Sequence, residues 1–492
     1  MQDLKAKVIR GGLARLCAQG ATFILRVGSL MILARLVGPK DFGLVGMVTA
    51  FTGVLTLFQD FGLSSAAVQS TTVTEEQSST LFWINVLIGA VLGLVGLAMA
   101  PAIAAFYQEP RLFGVTAVLA VAFLFNAAGT QHSALLQRQM RFTALAVISV
   151  ISLGVGTAIA IFGAKVGYGY WAVASMTVTP SIIATIGFWV TSGWLPGMPR
   201  KRAGIRSMVH FGGSLTLTGL LVYVGYNADK IIIGRFWGAD ALGVYGRAYQ
   251  IVNIPVANLN SAVGEVAFSA LSRLQDDPIR FRSYFLKGFS LVLGLTLPIT
   301  FACAFFADDV VFVLLGPKWN DAAAIVRLLA PTIVIFAIIN PLGWLVFALG
   351  LVSRGLKAGP VLAGLMIAGF VTALPYGPKG VAFAYSAVLT LWVIPHIWWC
   401  VYGTAVSLRD ILVAVSRPLA SGILAGGLAF GVRLIWGDFI PPLPRLVLEV
   451  GVLVIAFYGI LLFVVGQKSL YLDLVRGLMG TKSVVEKVSV TT

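Results

Sequence analysis

Residues 32–46 read ILARLVGPKDFGLVG, and residues 232–246 read IIGRFWGADALGVYG. At a constant offset of 200 positions, Ile32, Arg35, Gly38, Gly43 and Gly46 fall opposite Ile232, Arg235, Gly238, Gly243 and Gly246. Glycine identities alone are cheap in a chain with 54 of them, but the arginine and the shared place between two apolar runs are not. Gly12 and Gly212 extend the match upstream. In each copy an apolar segment closes on an arginine, turns through glycine and opens the next apolar segment. The pattern is that of one structural unit used twice.

Around this repeat lie 492 residues that are 58% hydrophobic and only 11% charged, with a mean hydropathy of +0.93. Soluble domains carry about 25% charged residues. The chain lacks the polar surface to dissolve, so the bilayer is its natural solvent. The net charge of +16 does not point to nucleic acid, because the basic residues are scattered singly among apolar runs. Their one dense cluster is Arg200, Lys201, Arg202 and Arg206. Cys17, Cys303 and Cys400 lie in or near apolar segments without paired spacing, which indicates neither a disulfide framework nor a metal site. No short apolar run ends in a small-residue cleavage site, so the first run is expected as a retained span.

The expected fold is an all-α polytopic membrane protein with about 14 transmembrane helices. Spans are predicted near 12–34, 42–68, 80–106, 112–136, 142–163 and 169–192. A second set falls near 210–234, 242–268, 285–307, 322–350, 356–375 and 380–404, and two more near 414–436 and 446–466. Each is long enough to cross ~30 Å of hydrocarbon at ~1.5 Å per residue. The domain reading is an N-terminal six-helix lobe (1–194), a basic loop (195–208), a C-terminal six-helix lobe (209–404), two additional helices (405–466) and a tail (467–492). Both lobes start on the same side, which makes them parallel repeats with a cleft expected between them near the midplane.

Loop charge sets the expected orientation. With the N-terminus inside, alternate loops carry 22 Lys and Arg on the inner side against 8 on the outer side. Both termini are therefore expected in the cytoplasm. The tail from Gln467 alternates apolar and charged residues and is read either as a short surface helix or as a frayed terminus.

With so few charges, those inside spans are the informative ones. A charge at the bilayer centre costs about 2.5–3.5 kcal/mol on insertion scales and normally faces protein or water. Arg26 sits within the first span; it either pairs with an acid on another helix or lines the cleft and binds an anion. Asp229 and Lys230, in YVGYNADKIII, point about 100° apart on a helix and so are not simply each other's partner. Arg247 and Glu265 share the eighth span on nearly one face, the first suited to a phosphate and the second to a cation or a proton. Asp60 in LFQDFGL and His132 in GTQHSAL complete the set, each open to a structural pairing role or to ion coupling. Arg26, Lys230 and Arg247 are the substrate-binding candidates. No catalytic residue, metal ligand or cofactor is assigned. The chain has no GxxxxGK[ST], no GxSxG and no HExxH string, so ATP hydrolysis and hydrolase chemistry are not supported.

ILARLVGPKDFGLVG near the first turn, NADKIIIGRFWGADALGVYGRAYQ in the second half and VAFSALSRLQDD after the eighth span carry a resemblance over essentially the whole chain. The sequence resembles the polysaccharide transporters of the multidrug/oligosaccharidyl-lipid/polysaccharide (MOP) flippase superfamily, the Wzx-type exporters of lipid-linked oligosaccharides. The resemblance implies an alternating-access transporter of the bacterial inner membrane. It would move undecaprenyl-diphosphate-linked repeat units to the periplasmic leaflet for exopolysaccharide, lipopolysaccharide or capsule assembly. Implied partners are that lipid-linked oligosaccharide, the membrane lipids, and a polysaccharide polymerase with its chain-length machinery. A related flippase of peptidoglycan precursors uses cavity arginines, one of them in the first span, and Arg26 occupies a similar place. Arginine suits a diphosphate because its planar fork matches phosphate oxygens. Two rivals remain: a cation-coupled multidrug exporter of the same superfamily, and a membrane-bound enzyme of polysaccharide synthesis. The first would favour an acidic, aromatic cavity; the second would need a catalytic loop or a carboxylate-rich motif.

Overall fold

The first Gly-Pro turn separates helix α1 (Gln2–Leu36) from α2 (Pro39–Gln59), with Pro39 opening the second helix where its missing N–H costs nothing. There follow α3 (Glu75–Tyr107), α4 (Arg111–Arg138), α5 (Phe142–Val166) and α6 (Tyr170–Ser192). The computed structural model describes residues 2–59, 74–199, 206–436 and 439–468, without side chains at 2–16, 206–219, 221, 222, 261, 262, 265, 266, 352 and 356. Among the described residues there is no strand. The fold is all-α and polytopic.

Local sequence explains the helix ends. Thr74 and Gln77 form a reciprocal capping box at the start of α3. Gln108 closes α3 in a left-handed conformation, φ 56°, and the next turn is fastened by two 2.7 Å hydrogen bonds from Arg111 to Glu109. That guanidinium holds the Glu109 carboxyl below the usual carboxylate range.

The second copy of the repeat lies in α7 (Arg206–Ser272), whose 67 residues form two helical segments broken at Gly238. Gly238 has φ 82° and ψ −179°, which a residue with a Cβ avoids. The two copies therefore share a helix–glycine–helix design. Then come α8 (Pro278–Phe305), the short α9 (Ala307–Leu314), α10 (Asn320–Leu329), α11 (Pro331–Ala348), α12 (Val352–Ala373), α13 (Gly377–Val401), α14 (Leu408–Trp436) and α15 (Pro442–Gly459), which runs on into one π turn over Ile460–Val464.

The stretch predicted as one span over 322–350 is two helices. Pro331 opens α11, and α10 before it is short and carries Asp321 and Arg327. Eleven helical stretches among the described residues are long and apolar enough to cross a membrane, and one of them, Ser353–Val401, contains both α12 and α13. The expected count of about 14 is compatible with this. Large apolar side chains such as Leu94, Val190, Leu391 and Ile455 stand exposed on these helices, as lipid-facing residues do.

The backbone groups into two compact units, Met1–Arg247 with Leu314–Trp319 and Gly359–Val381, and Ala248–Val313 with Asn320–Ala358 and Ala382–Thr492. In the first unit α4 packs against α3 and α6, and α1 against α5. Glycines let these backbones approach: a Cβ at Gly89 would meet the Phe123 carbonyl at 2.8 Å. Trp319, fully buried, donates to the Ala34 carbonyl at 2.8 Å and lies edge-on to Phe42.

The two copies of the repeat interlock within this unit. A Cβ on Gly43 would overlap the carbonyl of Ala239, and a Cβ on Gly243 would overlap the carbonyl of Pro39. Pro39 and Ala239 are themselves equivalent at the repeat offset, so the contact is reciprocal.

In the second unit α8 packs against α11 and α14, and α14 against α15. Gly422 and Gly426 lie flush against the rings of Phe301 and Phe305. Buried Asp309 of α9 receives Arg445 of α15 and Arg433 of α14, the latter at 3.2 Å. Arg354 donates to the carbonyls of Cys400 (3.2 Å) and Tyr402 (2.6 Å), satisfying the end of α13.

Candidate functional site

Asn126, Thr130, Ser133 and Gln137 recur at i, i+4, i+7 and i+11 on α4, which puts four neutral polar side chains on one face of an apolar helix. In the first unit this face lines a cavity of about 400 Å³, with Thr56 and Gln59 of α2 and Thr185 and Phe188 of α6 on its other walls. Among the described residues no charged one lines it.

The hydrogen bonding is divided. The hydroxyls of Thr56, Thr130 and Thr185 donate to the carbonyls of Gly53 (2.6 Å), Asn126 (2.8 Å) and Phe125 (2.7 Å). Their oxygens keep acceptor capacity. Among the described residues the side chains of Gln59, Asn126, Ser133 and Gln137 make no hydrogen bond, so their donors and acceptors are open to a ligand. An uncharged lining of amides and hydroxyls beside one aromatic ring fits a polyhydroxylated, neutral ligand such as a sugar. Such a ligand offers alternating donors and acceptors, and apolar C–H faces to the ring.

The residues singled out by charge lie elsewhere. Arg26 is exposed on α1, and no acid among the described residues pairs with it. Asp229 is fully buried and accepts 2.6 Å from the Tyr245 hydroxyl and 2.8 Å from the Lys230 amide. Lys230 turns its ammonium to Asn227 at 2.7 Å. Arg247 stacks its guanidinium on Phe42 at 4.2 Å from the ring centroid.

His132 is fully buried in an aromatic box, stacked on Trp189 with centroids 4.4 Å apart and edge-on to Phe82 and Trp194. Asp60 and the side chain of Glu265 lie outside the described residues. The structure thus joins Asp229 and Lys230 in one network and leaves Arg26, Arg247 and His132 in separate surroundings. Of the charge-selected residues, Arg26, Asp229, Lys230, Arg247 and His132 are not among those lining the α2–α4–α6 cavity. The signal for that cavity was the period of the neutral polar residues along α4, which a search for charges passes over.

Residues 32–324 match the family described as polysaccharide biosynthesis protein. The chain belongs to that family. The teichuronic acid biosynthesis protein TuaB of Bacillus subtilis is 30% identical over 76% of this chain and 78% of its own length. The lipopolysaccharide biosynthesis protein WzxC of Escherichia coli is 25% identical over 72% of this chain and 73% of its own. The succinoglycan biosynthesis transport protein ExoT of Rhizobium meliloti is 24% identical over 87% of this chain and 86% of its own.

Among solved structures the fold is similar to that of the lipid II flippase MurJ in an inward closed conformation, with a TM-score of 0.72 at 16% identity over 92% of this chain and 99% of that one. It is also similar to an inward-facing MATE multidrug resistance transporter of the MOP superfamily, with a TM-score of 0.62 at 14% identity over 81% and 98% of the two chains. Family and fold together make this a multi-pass membrane protein of polysaccharide biosynthesis, on an architecture shared with a lipid II flippase and a multidrug resistance transporter.

Proposed function

We propose that the chain is a flippase that moves undecaprenyl-diphosphate-linked oligosaccharide repeat units across the bacterial inner membrane by alternating access, with both termini in the cytoplasm. The uncharged amide- and hydroxyl-lined cavity on α2, α4 and α6 carries this reading. Family membership supports the pathway, and the relative from Rhizobium meliloti bears the word transport in its name. The glycan is the neutral part of such a substrate, and its hydroxyls would occupy Asn126, Ser133, Gln59 and Gln137. Arg26, exposed in the first span, remains our candidate for the diphosphate, and Lys230 and Arg247 stand behind it. On this reading the chain works as a transporter rather than an enzyme and delivers its cargo to a polymerase with its chain-length machinery.

In the proposed orientation the interlocked turns at Gly43 and Gly243 lie at the periplasmic end, and transport requires them to part. A cationic drug is the weaker cargo, because among the described residues no carboxylate lines the cavity to balance its charge. The test is reconstitution of the purified protein into liposomes that carry an undecaprenyl-diphosphate oligosaccharide. Its passage between leaflets is read by the accessibility of the glycan to a membrane-impermeant lectin. Leaflet exchange no faster than in protein-free liposomes would sink the proposal, as would uptake of a cationic dye in place of the glycan.

A further inference from the structure

The second unit holds a larger cleft, about 630 Å³, where the starts of α8 and α14 meet the end of the π turn after α15. Three arginines line it, Arg282, Arg409 and Arg417, with Asp410 as the one acid. Loop-charge counting absorbs these arginines as topology signals, yet the fold gathers them around one space.

Asp410 is already committed. It exchanges capping hydrogen bonds with Ser407 at the start of α14 and takes a two-pronged pair from Arg282 at 2.6 and 2.8 Å. Arg282 is thereby neutralised and held in place. Arg409 and Arg417 lie eight residues apart on one face of α14, and among the described residues neither guanidinium has an ion-pair or hydrogen-bond partner. The net charge left in the cleft is positive.

An independent feature points to the rest of the ligand. Gln467, only 7% exposed, lines the same cleft, and among the described residues its buried side-chain oxygen has no hydrogen-bond partner. A buried acceptor left unmet costs about 1–3 kcal/mol, so a donor is missing from this place. The cleft thus offers cations for an anion and an acceptor for a hydroxyl, at the helix ends that the proposed orientation puts in the cytoplasmic leaflet.

We propose that this cleft binds the headgroup of an anionic glycerophospholipid whose phosphodiester carries a hydroxylated alcohol, phosphatidylglycerol being the simplest. Arg409 and Arg417 take the phosphodiester, and Gln467 accepts from a headgroup hydroxyl. Basic pockets between membrane helices on the cytoplasmic side recognise anionic headgroups in this way. The site is separate from the α2–α4–α6 cavity and does not depend on what that cavity carries.

The experiment is native mass spectrometry of the purified full chain titrated with phosphatidylglycerol, phosphatidic acid or phosphatidylcholine, with sodium phosphate and glycerol 3-phosphate as soluble competitors. Phosphatidylglycerol binding is expected to exceed phosphatidylcholine binding and to fall roughly 10- to 30-fold in Arg409→Gln/Arg417→Gln. It should survive in Arg280→Gln, which removes a charge paired with Asp277 at the start of α8 and not among those lining the cleft. Gln467→Leu should weaken phosphatidylglycerol several-fold while sparing phosphatidic acid, which has no headgroup alcohol. An Arg417→Lys variant, expected to keep most of the binding, separates charge loss from misfolding. Equal loss in Arg280→Gln would make the effect diffuse surface charge, and displacement of the lipid by millimolar phosphate would make the ligand a soluble anion. Either overturns the proposal, as does a Gln467→Leu variant that weakens both lipids alike.

Discussion

Gly43 and Gly243 pack against each other's turns, Gly43 on the carbonyl of Ala239 and Gly243 on the carbonyl of Pro39. The two contacts are related by the same 200-residue offset as the sequence repeat, so a pseudo-twofold relation generates both from one local design.

A methyl group at either glycine has no room, because a carbonyl oxygen of backbone cannot swing aside as a side chain can. Gly43→Ala and Gly243→Ala are expected to cost about 1–3 kcal/mol through overpacking. Gly46 and Gly246 are the internal controls. A Cβ at Gly46 would touch Leu242 at an ordinary 3.5 Å, and one at Gly246 would meet nothing within 4 Å. Alanine there should be neutral, or stabilise by up to about 1 kcal/mol through helix propensity. Thermal unfolding of the detergent-purified proteins, with polymer export at matched membrane levels, separates the two pairs. Indistinguishable melting of the Gly43 and Gly46 variants would falsify the interlock.

The α4 stripe leads to a prediction about cargo. Asn126→Leu and Gln59→Leu remove open amides without disturbing any hydrogen bond among the described residues. Each should slow glycan transport by roughly 5- to 10-fold, the worth of one lost neutral hydrogen bond or two. Folding should be unchanged. His132→Phe is the contrast: it keeps the stack on Trp189 and the edges toward Phe82 and Trp194, and should transport normally. Transport assays at equal protein level decide this. Full activity in Asn126→Leu/Gln59→Leu would remove the cavity from the glycan path.

Much of the fold was legible because bilayer helices announce themselves by apolar length, and glycine with arginine marked the repeated turn. The break at Gly238 was visible as the partner of Gly38. The division of 322–350 was not: a proline inside an apolar run, as Pro331 is, reads as a kink as readily as a helix start. The candidate site was harder. Charge search led to Asp229, whose burial beside Tyr245 depends on a partner sixteen residues away across the glycine break. It missed Asn126, Thr130, Ser133 and Gln137, since neutral polar residues are cheap in a membrane helix and their shared face matters only once α2 and α6 are packed against it.

Asp229 gives the third prediction. Its 2.6 Å bond from Tyr245 joins the two segments of α7 across Gly238. Tyr245→Phe removes the donor from a buried acceptor and should destabilise by about 1–3 kcal/mol. Asp229→Asn keeps Oδ1 for the Lys230 amide and can donate its NH2 to the Tyr245 oxygen, so it should leave both melting temperature and transport close to wild type. A folded Asp229→Asn variant without transport would instead give the carboxylate a role in ion coupling.

Asp309 lies in the second unit under two arginines, one from α14 and one from α15. With Asp309 only 1% exposed, its carboxylate depends on them to offset lost hydration. Removing one partner of a buried pair typically costs about 3–5 kcal/mol, whereas an exposed pair is worth under about 1 kcal/mol. Arg445→Gln should therefore lower the melting temperature sharply. Arg327→Gln, which breaks the half-exposed pair with Asp308, should change it little. The double variant Asp309→Leu/Arg445→Met removes both charges of that pair, leaves Arg433 its 3.6 Å pair with Asp308, and should recover much of the loss, because an apolar pair of similar volume needs no compensation. Thermal unfolding of the three proteins beside wild type measures each difference. Equal destabilisation by Arg445→Gln and Arg327→Gln would mean that Asp309 is hydrated in the membrane and that the network does not hold α9, α14 and α15 together.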